Sequence, residues 1–111
     1  MNTLRNKVQL IGHLGQNPEK VNYGNGKYFV KFSMATNDAY QNNNGENVKN
    51  TQWHNIVVWG SLAKIASEYL KKGQEVAIEG KLVHRTYQDK EGNNKYITEI
   101  VANDLLFLGK K

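Results

Sequence analysis

Ser61-Leu62-Ala63-Lys64-Ile65-Ala66-Ser67-Glu68-Tyr69-Leu70-Lys71-Lys72-Gly73 is the stretch of this chain whose apolar residues recur with a helical period. Leu62, Ile65, Ala66, Tyr69 and Leu70 fall at i, i+3, i+4, i+7 and i+8, a single stripe on one face. Ser61 is placed to cap the first turn. Lys71 and Lys72 suit the negative C-terminal end, and Gly73 fits the left-handed position just past it. A helix of about ten residues is marginal alone in water, so the stripe, Tyr69 and Leu70 included, is expected to pack as core. Both flanks of the stretch read as strand, so its packing partner is a sheet.

Just before it, Trp53-His54-Asn55-Ile56-Val57-Val58-Trp59-Gly60 alternates with period two. Trp53, Asn55, Val57 and Trp59 share one row, and His54, Ile56 and Val58 the other. Just after it, Glu75 to Tyr87 reads as a long strand, closed by a turn at Asp89-Lys90-Glu91-Gly92-Asn93. A last strand starts near Lys95 and alternates through Tyr96, Thr98, Ile100 and Ala102. It then meets the continuous run Leu105-Leu106-Phe107-Leu108, so an irregularity near Asn103-Asp104 is expected to reset the phase. Upstream, Lys7 to Leu14 forms a first strand in which Gly12 marks a bend or a close backbone approach. Gly15-Gln16-Asn17-Pro18 ends it, and Asn22-Tyr23-Gly24-Asn25-Gly26 supplies turn residues. Lys27 to Asn37 is a second strand, buried through Tyr28, Val30, Phe32 and Met34. Asp38 to Gln52, with five asparagines, reads as a structureless, flexible hairpin arm between the second and third strands, with Tyr40 at its base.

Five strands with one α-helix between the third and fourth predict an all-β protein, a five-stranded oligonucleotide-binding (OB) barrel with the helix plugging one end. The helix position separates this architecture from an SH3-like barrel or a β-sandwich.

The chain of 111 residues makes a single domain, 1–111, with no internal repeat. Fifteen Lys and Arg against ten Asp and Glu give a net charge of +5, compatible with a polyanionic partner. There is no cysteine, which excludes disulfides and thiolate sites and fits a reducing compartment. Met1-Asn2-Thr3-Leu4 opens no apolar signal core, and no run approaches the roughly 20 residues that span a bilayer; a cytoplasmic, nucleoid-associated protein without membrane contact is expected. His13, His54 and His84 are too scattered to predict a metal site, and no phosphate-binding glycine motif occurs. Asp38, Glu79, Glu99 and Asp104 have no spacing that argues for a catalytic pocket. No enzyme activity and no cofactor are expected.

The two indoles sit on a row poor in the aliphatics a core needs, while Ile56 and Val58 already fill the opposite row. Flat rings spaced along a strand of a basic protein form a stacking surface for nucleotide bases, since each base has a π face. Packing at a subunit interface is the competing use of such rings. Tyr87 shares its row with Lys81 and Arg85, a ring and cations that together hold a base and meet its phosphates.

The chain resembles the bacterial single-stranded DNA-binding protein family. The resemblance is carried by Asn6-Lys7-Val8, Leu10-Ile11-Gly12-His13-Leu14-Gly15-Gln16-Asn17-Pro18-Glu19 and Phe32-Ser33-Met34-Ala35-Thr36-Asn37. It continues through Thr51 to Gly60, Ala66 to Gly73 and Glu79-Gly80-Lys81-Leu82. It implies sequence-independent binding and protection of single-stranded DNA in replication, recombination and repair, with bases stacked on Trp53, Trp59, Tyr87 and Tyr40. Lys7, Lys31, Lys49, Lys71, Lys81 and Arg85 are the candidate phosphate contacts. It also implies a homotetramer, with His54 at a subunit contact. The resemblance also implies replication or repair proteins as partners, which members usually recruit through a flexible linker and an acidic tail that this sequence, stopping at Leu108-Gly109-Lys110-Lys111, does not show. Two other readings use the same barrel: a replication accessory protein whose main work is protein contact, and a general RNA binder.

Overall fold

The computed structural model describes residues 5–108; the opening Met1–Leu4 and the closing Gly109-Lys110-Lys111 lie outside the described residues. Six strands and one helix follow in the order β1 (Val8–Leu14), β2 (Glu19–Gly24), β3 (Lys27–Gln41), β4 (Asn47–Val58), α1 (Gly60–Tyr69), β5 (Glu75–Gln88) and β6 (Asn94–Phe107). The sheet order is β1-β5-β6-β4-β3-β2, and β1 also pairs with β3, which closes β1, β5, β6, β4 and β3 into a barrel. Closure passes through His13 opposite Ala35 and Leu14 opposite Met34. Gly12 is what lets the strands cross: a Cβ there would overlap the Ala35 carbonyl oxygen and sit 3.0 Å from its carbon. The expected close approach at Gly12 is found.

The inward rows fill the barrel. Val30, Met34, Ile56, Val58 and Val76 are fully buried, and Leu14, Phe32, Ile78 and Ile100 nearly so. The expected phase reset is present on β6: Glu79 faces Asp104 while Gly80 faces Ala102, leaving Asn103 as the extra residue of a bulge.

Four details differ from the sequence reading. First, Glu19–Gly24 is not only turn but a short strand, β2, paired antiparallel to β3 from Glu19 opposite Lys31 to Asn22 opposite Tyr28. Second, the Asp38–Gln52 arm is not structureless. β3 and β4 stay in register out to Gln41 opposite Asn47, and only the tip leaves the ladder. Low β-propensity of asparagine is overridden by continuous pairing with the neighbouring strand. At the tip Asn42 Oδ1 accepts the N–H groups of Asn44 (2.9 Å) and Glu46 (3.0 Å), and Gly45 takes φ +80°. The β5–β6 tip repeats this with Asp89 Oδ1 accepting from Glu91 and Asn93 (2.9 Å each) and Gly92 at φ +83°.

Third, the helix ends at Tyr69, before Lys71 and Lys72, because Leu70 turns extended and drops into the core. Gly73 lies in the following turn, where its N–H donates to the Leu14 carbonyl (2.8 Å). Ser61 makes no cap; Trp59 occupies the N-cap position without a side-chain hydrogen bond. Fourth, Tyr69 is 59% exposed rather than core. Ala63 and Ala66 are the buried face, small enough for the helix to approach the barrel mouth, and Ile65 and Tyr69 fall on its flank. There Tyr69 meets Phe107 edge-on, with centroids 6.3 Å apart.

β4 and β6 run parallel from Asn55 opposite Glu99 to Val58 opposite Ala102. Each is entered from a hairpin tip, so both long arms leave the same end of the barrel, and the β2–β3 turn and the helix lie at the other. The arms explain a radius of gyration of 16.1 Å, against about 13 Å for a compact domain of this length.

Candidate nucleic-acid interface

Strand register assembles the outer face residue by residue. On β3 the outward row is Phe29, Lys31, Ser33 and Ala35; opposite it on β4 stand Val57 with Lys31, Asn55 with Ser33 and Trp53 with Ala35. The parallel pairing continues each line across β6, Asn55 to Glu99 and Val57 to Val101. β5 completes it, with Val83 beside Glu99, Lys81 beside Val101 and Arg85 beside Ile97. The outer surface of four adjacent strands therefore carries Lys31, Trp53, Lys81 and Arg85 together, and Trp59 follows at the end of the β4 row. Trp53 and Trp59 are six residues apart, about 20 Å along a strand.

The two indoles are held differently. Trp53 is 62% exposed. Its benzo edge rests on Gly15, the residue after β1: a Cβ at position 15 would come within 2.8 Å of Cη2 and nearer still to Cζ3. The Gly15 N–H is tied to the Ser33 carbonyl (2.9 Å), so the seat itself is fixed. Trp59 is 44% exposed and belongs to a cluster. Phe29 lies tilted against it, with centroids 4.4 Å apart, and Tyr23 meets it edge-on at 5.5 Å.

Beside the stretch of β4 between the two indole positions lies a groove of mixed lining whose polar residues include Lys31, Ser33, Asn55, Arg85 and Glu99. Glu99 is only 9% exposed, and Arg85 grips it with two charge-assisted hydrogen bonds of 2.9 Å, from Nε and Nη2. That grip holds the Glu99 carboxyl below its ordinary pKa against the opposing effect of burial, and it raises the pKa of Arg85. Two of the five guanidinium N–H groups are used in this way, leaving three to donate outward. Lys31 stands 3.9 Å from Glu19 and Lys7 stands 3.3 Å from Glu79, both exposed pairs that exchange partners easily. Among the described residues no ion pair involves Lys49, Lys71 or Lys81.

The arms divide the remaining candidates. Tyr87 is exposed on the outward row of β5, opposite Lys95, so it does share a face with Lys81 and Arg85. Lys49 faces Ala39 on the row that contains Trp53. Tyr40 faces Val48 and shares its row with Thr36 and Met34, on the opposite face of the arm from Lys49 and Trp53. Lys71 lies in the turn after α1, next to Lys72, whose N–H donates to Asn17 Oδ1 (2.9 Å). His54 is half-buried, with Nε2 3.0 Å from Thr36 Oγ1. No group of three or more metal-ligating side chains exists among the described residues, and no helix there is long and apolar enough to cross a membrane.

Residues 5–108 match the single-strand binding protein family. The chain belongs to that family. It is 49% identical over 107 residues to single-stranded DNA-binding protein 1 of Chlorobaculum tepidum, covering 96% of this chain and 66% of that one. A Neisseria meningitidis single-stranded DNA-binding protein is 45% identical over 104 residues, covering 94% and 60%. The chain thus spans less than two thirds of these relatives' own length. Among solved structures, the Plasmodium falciparum SSB complex with ssDNA superposes with a TM-score of 0.86 at 34% identity, covering 94% of this chain and 95% of that one.

Placed in this family, the outer face also holds residues that sequence reasoning passed over. Tyr23 and Phe29 join Trp59, and Glu99 organises Arg85. The signal for Phe29 was available: the row of Lys31, Ser33 and Ala35 runs back to it. Tyr23 was hidden because its segment read as turn.

Proposed function

We propose that this chain binds single-stranded DNA without regard to sequence and shields it during replication, recombination and repair. The observation that carries the reading is the division of β4: Ile56 and Val58 are spent on the core, and Trp53 and Trp59 on the other row stay open to solvent. Bases stack on Trp53, Trp59 and Tyr87, each ring contributing about 1–3 kcal/mol regardless of base identity. Lys31, Lys49, Lys81 and Arg85 meet the phosphates of a strand crossing that face; Lys7 and Lys71 extend the contact at its margins. Tyr40 serves a strand that wraps over the other side of the β3–β4 arm. The module acts by holding DNA, with no catalytic step and no cofactor, in the cytoplasm.

The same reading includes a homotetramer. It is supported by a second exposed row, Ile11 opposite Ala77 opposite Leu106, on the β1-β5-β6 side of the barrel away from the groove. Apolar residues in such a row favour burial against another copy. His54 joins a subunit contact through the ring nitrogen that Thr36 leaves free.

Titration with oligo(dT), read by tryptophan emission, tests the proposal. Strong quenching is expected, with much weaker binding of duplex DNA of the same length because paired bases cannot reach the rings. Unchanged emission at saturating DNA, or equal affinity for duplex, would overturn it.

A further inference from the structure

The β2–β3 hairpin stands at the opposite end of the barrel from the two long arms. Its outward row is Glu19, Val21 and Tyr23, because Glu19 pairs with Lys31 and Val21 with Phe29, both outward residues of β3. Tyr23 thus lies on the same surface as Trp59, two strands further out, with Phe29 of β3 between them. Its ring touches Trp59 edge-on (5.5 Å, 61°) and Phe29 at a tilt (6.3 Å, 31°), yet 54% of the residue remains exposed. Two neighbours fix the attitude of the ring while its outer side stays open. Beside it lies a hollow of about 440 Å³ between the hairpin turn and the first turn of α1, with Lys27 on one wall and Lys64 on the other. Neither lysine belongs to an ion pair among the described residues.

A ring held in place, two uncommitted ammonium groups and direct continuity with Trp59 form a fit for one more nucleotide of a bound strand. We infer that Tyr23, Lys27 and Lys64 form a terminal nucleotide subsite: a base stacks on the outer side of Tyr23, and the two lysines take the adjoining phosphates. The inference rests on the single-stranded DNA reading and extends the path past Trp59 onto the hairpin. Phe29 is the wedge that sets the angle between the Tyr23 and Trp59 rings. The subsite is chemically indifferent to base identity, since stacking and phosphate contact carry no sequence information.

The test compares wild type, Tyr23→Leu and Tyr23→Phe against a ladder of oligo(dT) lengths. Leucine keeps the apolar bulk that braces Trp59 and removes the π face; phenylalanine keeps both. The expected result is unchanged affinity of Tyr23→Leu for the shortest oligomers that bind. For longer ones its affinity should fall roughly 5- to 150-fold, with Tyr23→Phe close to wild type. Lys27→Gln with Lys64→Gln should lower the salt slope for long oligomers by about 0.7 per phosphate lost. Tyr23→Leu matching wild type at every length, while wild type still binds and its tryptophan emission is quenched, overturns the subsite and leaves the DNA reading standing. An equal loss at all lengths also overturns it, because Tyr23 would then act only by bracing Trp59. Failure of wild type to bind any oligomer refutes the DNA reading and the subsite with it. Urea unfolding of each variant confirms that the exposed hairpin substitution leaves the fold intact.

Discussion

Gly15→Ala separates the fold from the site more cleanly than removing a tryptophan does. Gly15 has an ordinary backbone conformation, so alanine is tolerated locally, and its N–H bond to Ser33 is unaffected. The new methyl, however, would lie 2.8 Å from Trp53 Cη2 and closer to Cζ3. Carbon atoms in contact rest at about 3.5–4.0 Å, so the indole must retreat by roughly 0.7–1.2 Å at Cη2 and further at Cζ3. The Gly15 backbone is pinned and the ring is the end of an exposed side chain, so the ring moves. Stability should barely change. Stiffening the unfolded chain contributes about 0.4–1 kcal/mol, and an off-rotamer indole costs about 0.5–1.5 kcal/mol. Binding should suffer, because a base can stack only on a ring presented at the right height and tilt. The ceiling is the full stacking contribution of Trp53, about 1–3 kcal/mol or roughly 5- to 150-fold in affinity, which Trp53→Ala measures directly. Urea unfolding and oligo(dT) titration of both variants read the two effects separately. Wild-type affinity and quenching in Gly15→Ala would refute the idea that Gly15 sets the working position of Trp53. A loss of several kcal/mol in stability would instead make the indole a packing element.

Other outcomes follow from the charges and the second exposed row. Glu99 is held below its ordinary pKa in the folded chain, so its contribution is complete above the unfolded value of about 4.3 and is lost as pH falls through the folded one. Wild-type stability should therefore drop more steeply below about pH 4 than that of Glu99→Gln, which should cost about 1–2 kcal/mol at neutral pH because Arg85 remains solvated; parallel acid-unfolding curves would refute the pairing. Light scattering should give four times the chain mass of 12.6 kDa, and Ile11→Asp should lower it without unfolding the monomer. A concentration-independent monomer mass for wild type would defeat the assembly. For oligo(dT) too short to reach the β2–β3 hairpin, the log–log slope of affinity against salt should lie between about −2 and −4 per chain, the first from the three unpaired lysines alone and the second from all six candidate cations, at about 0.7 per phosphate.

Much of this was legible in the sequence because the strand period carries over to the barrel without ambiguity. Trp53, Asn55, Val57 and Trp59 could be assigned to one row before any coordinates, and the bulge at Asn103 followed from the clash between alternation and the apolar run after it. The Tyr87 row with Lys81 and Arg85 held for the same reason. Where reading failed, the cause was local composition overruled by pairing. Asn42 to Gly45 has the same spacing of side-chain acceptor and glycine as Asp89 to Gly92, yet the surrounding asparagines masked a two-stranded ladder that continues to the tip. β2 was masked by the turn residues that flank it. Tyr69 was assigned to the core because a helical stripe was counted by hydrophobicity, whereas the barrel mouth selected by size and buried Ala63 and Ala66. Tertiary pairs such as Arg85 with Glu99 lie 14 residues apart across a hairpin, and no local pattern announces them.

The parallel contact between β4 and β6 is the feature from which the site's geometry descends. β4 and β6 run side by side in the same direction, and each is entered from its own hairpin. Both long arms therefore stand at one end, and the parallel pair sets β6 directly beside β4, so the outward rows that carry Tyr87 on one arm and Lys49 on the other run on into the outer face between them. The same pairing puts Glu99 beside Asn55, in the lining of the groove, where a bare carboxylate would repel phosphate. Arg85, reaching across from β5, cancels that charge and still keeps three N–H groups for the backbone of a strand. The groove is therefore close to neutral, with Glu19 and Glu99 set against Lys31 and Arg85, and its Asn55 lies on the row of Trp53 and Trp59. Under the proposed function, bases would be held by stacking contacts that salt weakens little, and phosphates by ionic contacts that it weakens strongly.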